Sequence, residues 1–142
     1  MGNLFFAGNG AEPTTAARLA MACGTSVNTL LQIATPATME IIPVAWGISF
    51  DASAAAVPGI VELIETDVAA TAGTSLTPTK YSNPNGPASL CVGGTGATMF
   101  NDGAITEGTI TAVRTCDVQQ IAPTNQYVYT FPLGREFRCG VS

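Results

Sequence analysis

The sequence predicts an all-β protein, a β-sandwich or jelly roll preceded by an extended N-terminal arm. Three observations carry that expectation. Apolar and polar residues alternate with a period of two through several short runs, as they do on half-buried strands. Clusters of proline, glycine and asparagine separate those runs at intervals of roughly 8–12 residues, a spacing found in sandwiches and barrels. Threonine occurs 19 times in 142 residues, and with valine and isoleucine it favours extended backbone. No stretch has a convincing helical period, and the chain contains neither an internal repeat nor a low-complexity tract.

Residues 1–28 read as an arm. Gly8, Gly10, Pro13 and the run Thr14-Thr15-Ala16-Ala17 suit extended chain. A short helix over residues 15–22 competes, because threonine can cap and alanine is a good helix former. Such a helix is too short to hold in isolation. Leaving Leu4, Phe5 and Phe6 in water is costly, so they either fold back onto their own domain or dock on a neighbour.

Residues 29–142 form the β domain. Thr29 to Ala34 is a short apolar strand that stops at Thr35-Pro36. Met39 to Asp51 is the strand at the centre of the fold. Its even positions Ile42, Val44, Trp46, Ile48 and Phe50 are large and apolar, and its odd positions are mostly small. A helix would scatter those five side chains around its circumference. Pro43 cannot donate to a strand ladder, so it marks an edge or a bulge. A bulge there moves the first residues of the strand to the other face. Residues 52–56 with Pro58-Gly59 read as a loop, and Ile60 to Asp67 as a strand with Val61 and Leu63 on one side. Residues 69–89 are the longest irregular connection. Ser89 to Val92 is a short strand, Gly93 to Gly96 a turn, and Asn101-Asp102-Gly103 a hairpin turn into Ala104-Ile105. Thr109 to Ile121 is a second long strand whose two faces are both mixed. After a turn at Pro123-Thr124-Asn125 comes Gln126 to Phe131, with Tyr127, Tyr129 and Phe131 on one face. Pro132-Leu133-Gly134 turns the chain into a last short strand, Glu136 to Val141.

Composition narrows the function. Only 11% of the residues are charged, against about 25% in an ordinary soluble domain. That shortage points to a surface that meets other protein. The net charge of −5 and the absence of any basic run argue against nucleic acid. No apolar run approaches the roughly 20 residues that span a bilayer. The N-terminus lacks the features of a secretory signal, so synthesis in a cytoplasm and a soluble protein without membrane contact are expected. Cys23, Cys91, Cys116 and Cys139 form no Cys-x-x-Cys pair, and no histidine is present. The usual zinc, iron–sulfur and haem ligand sets are therefore missing, and no cofactor or metal is expected. Four cysteines permit two disulfides, but their apolar surroundings favour buried free thiols.

Candidate chemistry is thin, and no catalytic residue is assigned. Without histidine no Ser-His-Asp or Cys-His arrangement can be drawn. Gly94-x-Gly96 lacks the third glycine of a dinucleotide fingerprint. Glu62 and Glu65 face opposite ways on a strand, while Glu65 with Asp67 and Asp102 with Glu107 read as solvated carboxylates. Tyr127 and Tyr129 with Phe131 suit one face of a core, or alternatively a sugar-stacking platform. Arg135, Glu136 and Arg138 around a turn suit a salt-bridge cluster at the rim of an interface.

Several stretches are similar to a family of small tailed-bacteriophage virion proteins. They are Leu30-Leu31-Gln32-Ile33-Ala34-Thr35-Pro36, Trp46-Gly47-Ile48-Ser49-Phe50-Asp51 with Ala54-Ala55-Ala56, and Val61-Glu62-Leu63-Ile64-Glu65-Thr66-Asp67. Ala122-Pro123-Thr124-Asn125-Gln126-Tyr127 and Pro132-Leu133-Gly134-Arg135-Glu136 belong with them. The family resembles capsid decoration, or cement, proteins. The resemblance covers most of residues 29–138, and its motifs carry no reaction. It implies a non-enzymatic β-sandwich, a homotrimer that binds the major capsid protein where capsomers meet, on the capsid surface of the virion. Leu4, Phe5, Phe6, Tyr127, Tyr129, Arg135 and Arg138 are the candidate interface residues. A head- or tail-fibre adhesion module and a carbohydrate-binding β-sandwich remain as alternatives.

Overall fold

A computed structural model describes residues 3–8, 29–50, 57–68, 74–76, 78–95 and 111–140. The described residues are all-β, with no helix among them. Among the described residues nine strands form four small antiparallel sheets. β1 (Phe5–Phe6) pairs with β6 (Thr79–Lys80), and β7 (Val92–Thr95) lies between β2 (Gln32–Ala34) and β5 (Thr74–Leu76). β3 (Ala45–Ser49) pairs with β9 (Gln126–Thr130), and β4 (Gly59–Thr66) with β8 (Val113–Ile121). The alternative helix at 15–22, the loop at 52–56 and the hairpin turn at 101–103 with Ala104-Ile105 lie outside the described residues.

Several expectations need correction: the central strand covers Ala45–Ser49 rather than Met39 to Asp51, and Ser89 to Cys91 are not strand, since β7 begins at Val92. The connection 69–89 is not wholly irregular, because β5 and β6 lie within it and find partners in β7 and β1. Gly93 and Gly94 are not a turn but the middle of β7, paired with Ile33 and Gln32 on one side and with Leu76 and Ser75 on the other. Ladder bonds on both sides supply what glycine's weak strand preference lacks. Of the last strand, Glu136 to Val141, the described residues keep one bridge, between Ile41 and Cys139; Gly140 beyond it adopts φ +99°, a left-handed conformation that does not continue extended pairing.

The parity of the central strand changes along its length. Trp46, Ile48 and Phe50 are half-buried and turn inward, as the even-face reading requires. Ile42 and Val44 are 45% and 40% exposed, whereas Ile41 and Pro43 are half-buried. Val44 and Ala45 are consecutive exposed residues, so the phase shifts just after Pro43. β3 then aligns with β9 without a break, Trp46 opposite Tyr129 and Ile48 opposite Tyr127. Gly47 is required there, since a Cβ at this position would come within 2.9 Å of the Tyr127 carbonyl oxygen.

A second irregularity explains why both faces of β8 looked mixed. Leu63 stands opposite Asp117 and Ile64 opposite Thr115, so Cys116 is one extra residue on β8. Such a bulge re-aims the side chains beyond it. Cys116 and Asp117 are accordingly consecutive half-buried residues, followed inward by Gln119 and Ile121. Val61, Leu63 and Glu65 supply the matching inner face of β4.

Aromatic rings fill the space between β3–β9 and β4–β8. Trp46 meets Tyr127 edge-on at 5.3 Å between centroids. Tyr129, Phe131 and Phe137 continue as a second edge-to-face chain at 5.0 and 5.1 Å. Among the large hydrophobic residues described, only Ile121 and Phe131 are fully buried, and fifteen are exposed. Among the described residues, more large apolar side chains are exposed than buried.

Candidate functional site

Asp117 is the point at which the two longest pairs of strands meet. The bulge at Cys116 turns its carboxylate toward β3 and β9. Its Oδ2 accepts the Trp46 indole N–H at 3.0 Å and the Tyr127 hydroxyl at 2.8 Å. Its Oδ1 accepts from the Gln119 amide at 2.9 Å. Burial alone raises the carboxyl, but the hydrogen bonds from Gln119, Tyr127, Trp46 and the Val118 backbone outweigh it, and Asp117 lies below the usual carboxylate range. Tyr127 is pushed up to about 12 by burial and by the Asp117 carboxylate that its hydroxyl serves. A carboxylate held this way is ionised at neutral pH and is a weak base, so the geometry suits a clamp better than an acid or a base.

A cleft of about 380 Å³ opens beside this clamp, bordered by Gln119, Tyr129, Phe131, Pro132 and Arg135 as well as Asp117. Its rim is the turn Pro132-Leu133-Gly134-Arg135. The Arg135 amide donates to the Pro132 carbonyl at 2.9 Å, and the Gly134 amide to Glu136 Oε2 at 2.7 Å. Gly134 has φ +79°, which a tight turn of this kind asks of its third residue. Leu133 at the apex is 93% exposed.

Charged side chains form a separate group at the other end of β4–β8. Glu65 pairs with Arg114 at 2.6 Å, directly across the two strands. The Arg114 guanidinium also lies 5.6 Å from the centre of the Phe137 ring and donates to the Arg138 carbonyl at 2.7 Å. Arg138 pairs with Glu40 at 2.9 Å. Asp67 accepts the Thr111 hydroxyl and the Thr111 and Ala112 amides, which hold its carboxyl below the usual range. Burial pushes the Cys139 thiol up to about 11, and raises Cys116 as well. Thiols raised in this way are poor nucleophiles at neutral pH. Cys91, Cys116 and Cys139 are free thiols. Among the described residues no group of His, Cys, Asp or Glu could hold a metal ion, and no helix is long and apolar enough to cross a membrane.

The candidate residues therefore divide among three places. Tyr127, Tyr129 and Arg135 border one cleft. Arg138 is engaged with Glu40, and Glu136 with the Gly134 amide, so the expected Arg135-Glu136-Arg138 cluster does not form. Leu4, Phe5 and Phe6 lie along residues 79–82 of their own chain: the Leu4 carbonyl accepts the Tyr81 amide at 2.9 Å, and Leu4 N donates to Ser82 Oγ. Leu4 and Phe6 remain 38% and 48% exposed. Sequence reasoning missed Asp117, because a lone carboxylate on a strand with two mixed faces gives no sign of a bulge. The comparisons add nothing to this geometry: no protein-family model, curated protein or solved structure matches the chain.

Proposed function

We propose that the chain is a structural virion protein rather than an enzyme. Within that class it reads as a bacteriophage capsid decoration, or cement, protein that binds the major capsid protein at capsomer junctions. The proposed oligomer is a homotrimer, and the proposed complete domain is a β-sandwich or jelly roll. The observation that carries this reading is the set of large apolar side chains left exposed among the described residues, in a chain with few charges. Exposed apolar patches of this kind mark sites of protein association. Contacts repeated over many copies on a lattice gain avidity, so each can be modest. Binding only the assembled shell stabilises it by mass action.

Co-sedimentation with expanded capsid shells, together with the native mass of the free chain, tests the reading. A homotrimer that pellets saturably with shells is the expected result. A monomer that stays in the supernatant overturns it.

The carbohydrate reading loses a platform residue in this structure. The Tyr127 ring is held edge-on to Trp46 and its hydroxyl to Asp117. Tyr129 is the aromatic still part-exposed at the cleft. Saturable oligosaccharide binding that disappears in Tyr129→Ala would favour that reading instead.

A further inference from the structure

Nearly every charged side chain among the described residues has a partner within the chain. Glu40, Glu65, Asp67, Asp117 and Glu136 each accept hydrogen bonds, and Arg114 and Arg138 form ion pairs. Lys80 donates to the Pro84 carbonyl at 3.2 Å. Two side chains of opposite sign are left over, Glu62 and Arg135. Both are exposed.

Each stands beside exposed apolar residues. Arg135 follows Leu133 on a turn fixed by one backbone hydrogen bond, a second from the Gly134 amide to the Glu136 carboxylate, and a left-handed glycine. Glu62 projects from the outer face of β4–β8, directly across from Val118. Ile60 at 70%, Ile64 at 39% and Val118 at 45% exposure surround it. Eight residues of extended chain make this face about 26 Å long at roughly 3.3 Å per residue, more than the width of one tight turn. One surface is thus a turn with exposed Pro132 and Leu133 and the unpaired Arg135, its Glu136 carboxylate being taken up by the Gly134 amide. The other is a sheet face on which Ile60, Ile64 and Val118 stand with exposed Gln120 and Thr115 around the unpaired Glu62.

We propose that the Pro132–Arg135 turn of one copy docks on the outer β4–β8 face of a second copy. In that arrangement Arg135 pairs with Glu62, and Leu133 packs against Ile60 and Val118. The proposal rests on the self-association put forward above and assigns it residues. Turn and sheet face are different surfaces, so the contact is head-to-tail, and the homotrimer proposed above corresponds to the rotation that closes it into a ring. Because the turn is already rigid, little conformational freedom is lost on docking. An ion pair enclosed by Leu133, Ile60 and Val118 is screened less than one in open water.

Sedimentation equilibrium on the full chain tests this with Arg135→Glu, Glu62→Arg and the double charge swap. Neither residue has a partner among the described residues, so near-ultraviolet circular dichroism from Trp46 should match in all four proteins. Each single reversal is expected to raise the dissociation constant of the oligomer by roughly tenfold or more, and the double swap to recover most of that loss. Leu133→Ser probes the apolar half, and its expected loss is independent of salt. A wild-type chain that stays monomeric, single reversals that leave the oligomer unchanged, or a double swap no better than the weaker single would overturn the proposal. Shell co-sedimentation is a separate arm. A charge-dependent oligomer that ignores shells removes the cement reading and keeps this contact, whereas a monomer that binds shells does the reverse.

Discussion

The two faces of the β4–β8 sheet are built on opposite principles. The inner face carries Glu65, Asp117 and Gln119 among Val61, Leu63 and Ile121, and each of those polar groups is hydrogen-bonded or ion-paired. The outer face carries Ile60, Ile64 and Val118 around one unpaired carboxylate, and nothing among the described residues covers it. A polar group inside a fold is tolerated when it is fully hydrogen-bonded, and it then specifies one arrangement of the elements around it. An apolar face left outside is tolerated when a partner covers it. One face fixes how the strands sit within the chain. The other is free to fix how the chain sits among its neighbours.

Removing the largest ring should damage the inner face most. Trp46→Ala takes away the edge-on contact with Tyr127 and one of the Asp117 donors, and should cost about 3 kcal/mol, the lower end of the range for buried aromatics. The measurement is the shift of a urea midpoint at constant slope. Asp117→Ala follows at about 2 kcal/mol, because the indole and phenol donors lose a charged acceptor.

The pH dependence of stability sharpens the same point. Asp117 has a lowered value in the fold, so its contribution is complete above its ordinary 3.8 and is lost as pH falls through the folded value. The Asp117→Ala protein should lack that part of the acid transition. Tyr127 behaves in the opposite sense. Its neutral form is favoured in the fold, so its contribution is full below pH 10.0 and fades as pH rises toward about 12. Absorbance of the phenolate at 295 nm should show one tyrosine ionising late, and Asp117→Ala should bring it earlier.

Smaller effects are expected away from this face. Gly134→Ala should cost about 1 kcal/mol, since φ +79° strains any side chain although open space surrounds the position. Its midpoint shift should persist at protein concentrations where the chain is monomeric. Val128→Thr, on a residue 70% exposed, should change stability by no more than about 0.5 kcal/mol. A loss comparable to that of Trp46→Ala would mean that the contrast between covered and uncovered faces is wrong.

Much of the local structure was legible. The alternation of Val61 and Leu63 against Glu62 and Ile64 placed β4 on its correct faces, and the turns at Pro123-Thr124-Asn125 and Pro132-Leu133-Gly134 stand where proline and glycine put them. The period-two stripe of Tyr127, Tyr129 and Phe131 gave β9 its inner side. The weak points were positions where the period itself shifts. The residues just after Pro43 and the bulge at Cys116 each displace the pattern by one; Pro43 marked the first break, whereas nothing in the sequence around Cys116 marked the second. Gly93 and Gly94 were misread because their role depends on strands distant in sequence rather than on their own preferences.

The sequence by itself determined the all-β character of the described residues, a Trp46-centred strand and a surface with few charges, because these follow from period and composition. Which carboxylate became the centre was decided only in three dimensions. One extra residue in β8 swings Asp117 to meet donors 71 residues before it and 10 residues after it. The pairing of every other described charge, which leaves Glu62 and Arg135 unmatched, was decided there as well. Hydrogen bonds and ion pairs depend on distances of a few ångströms between residues far apart in the chain, and only the packed strands set those distances.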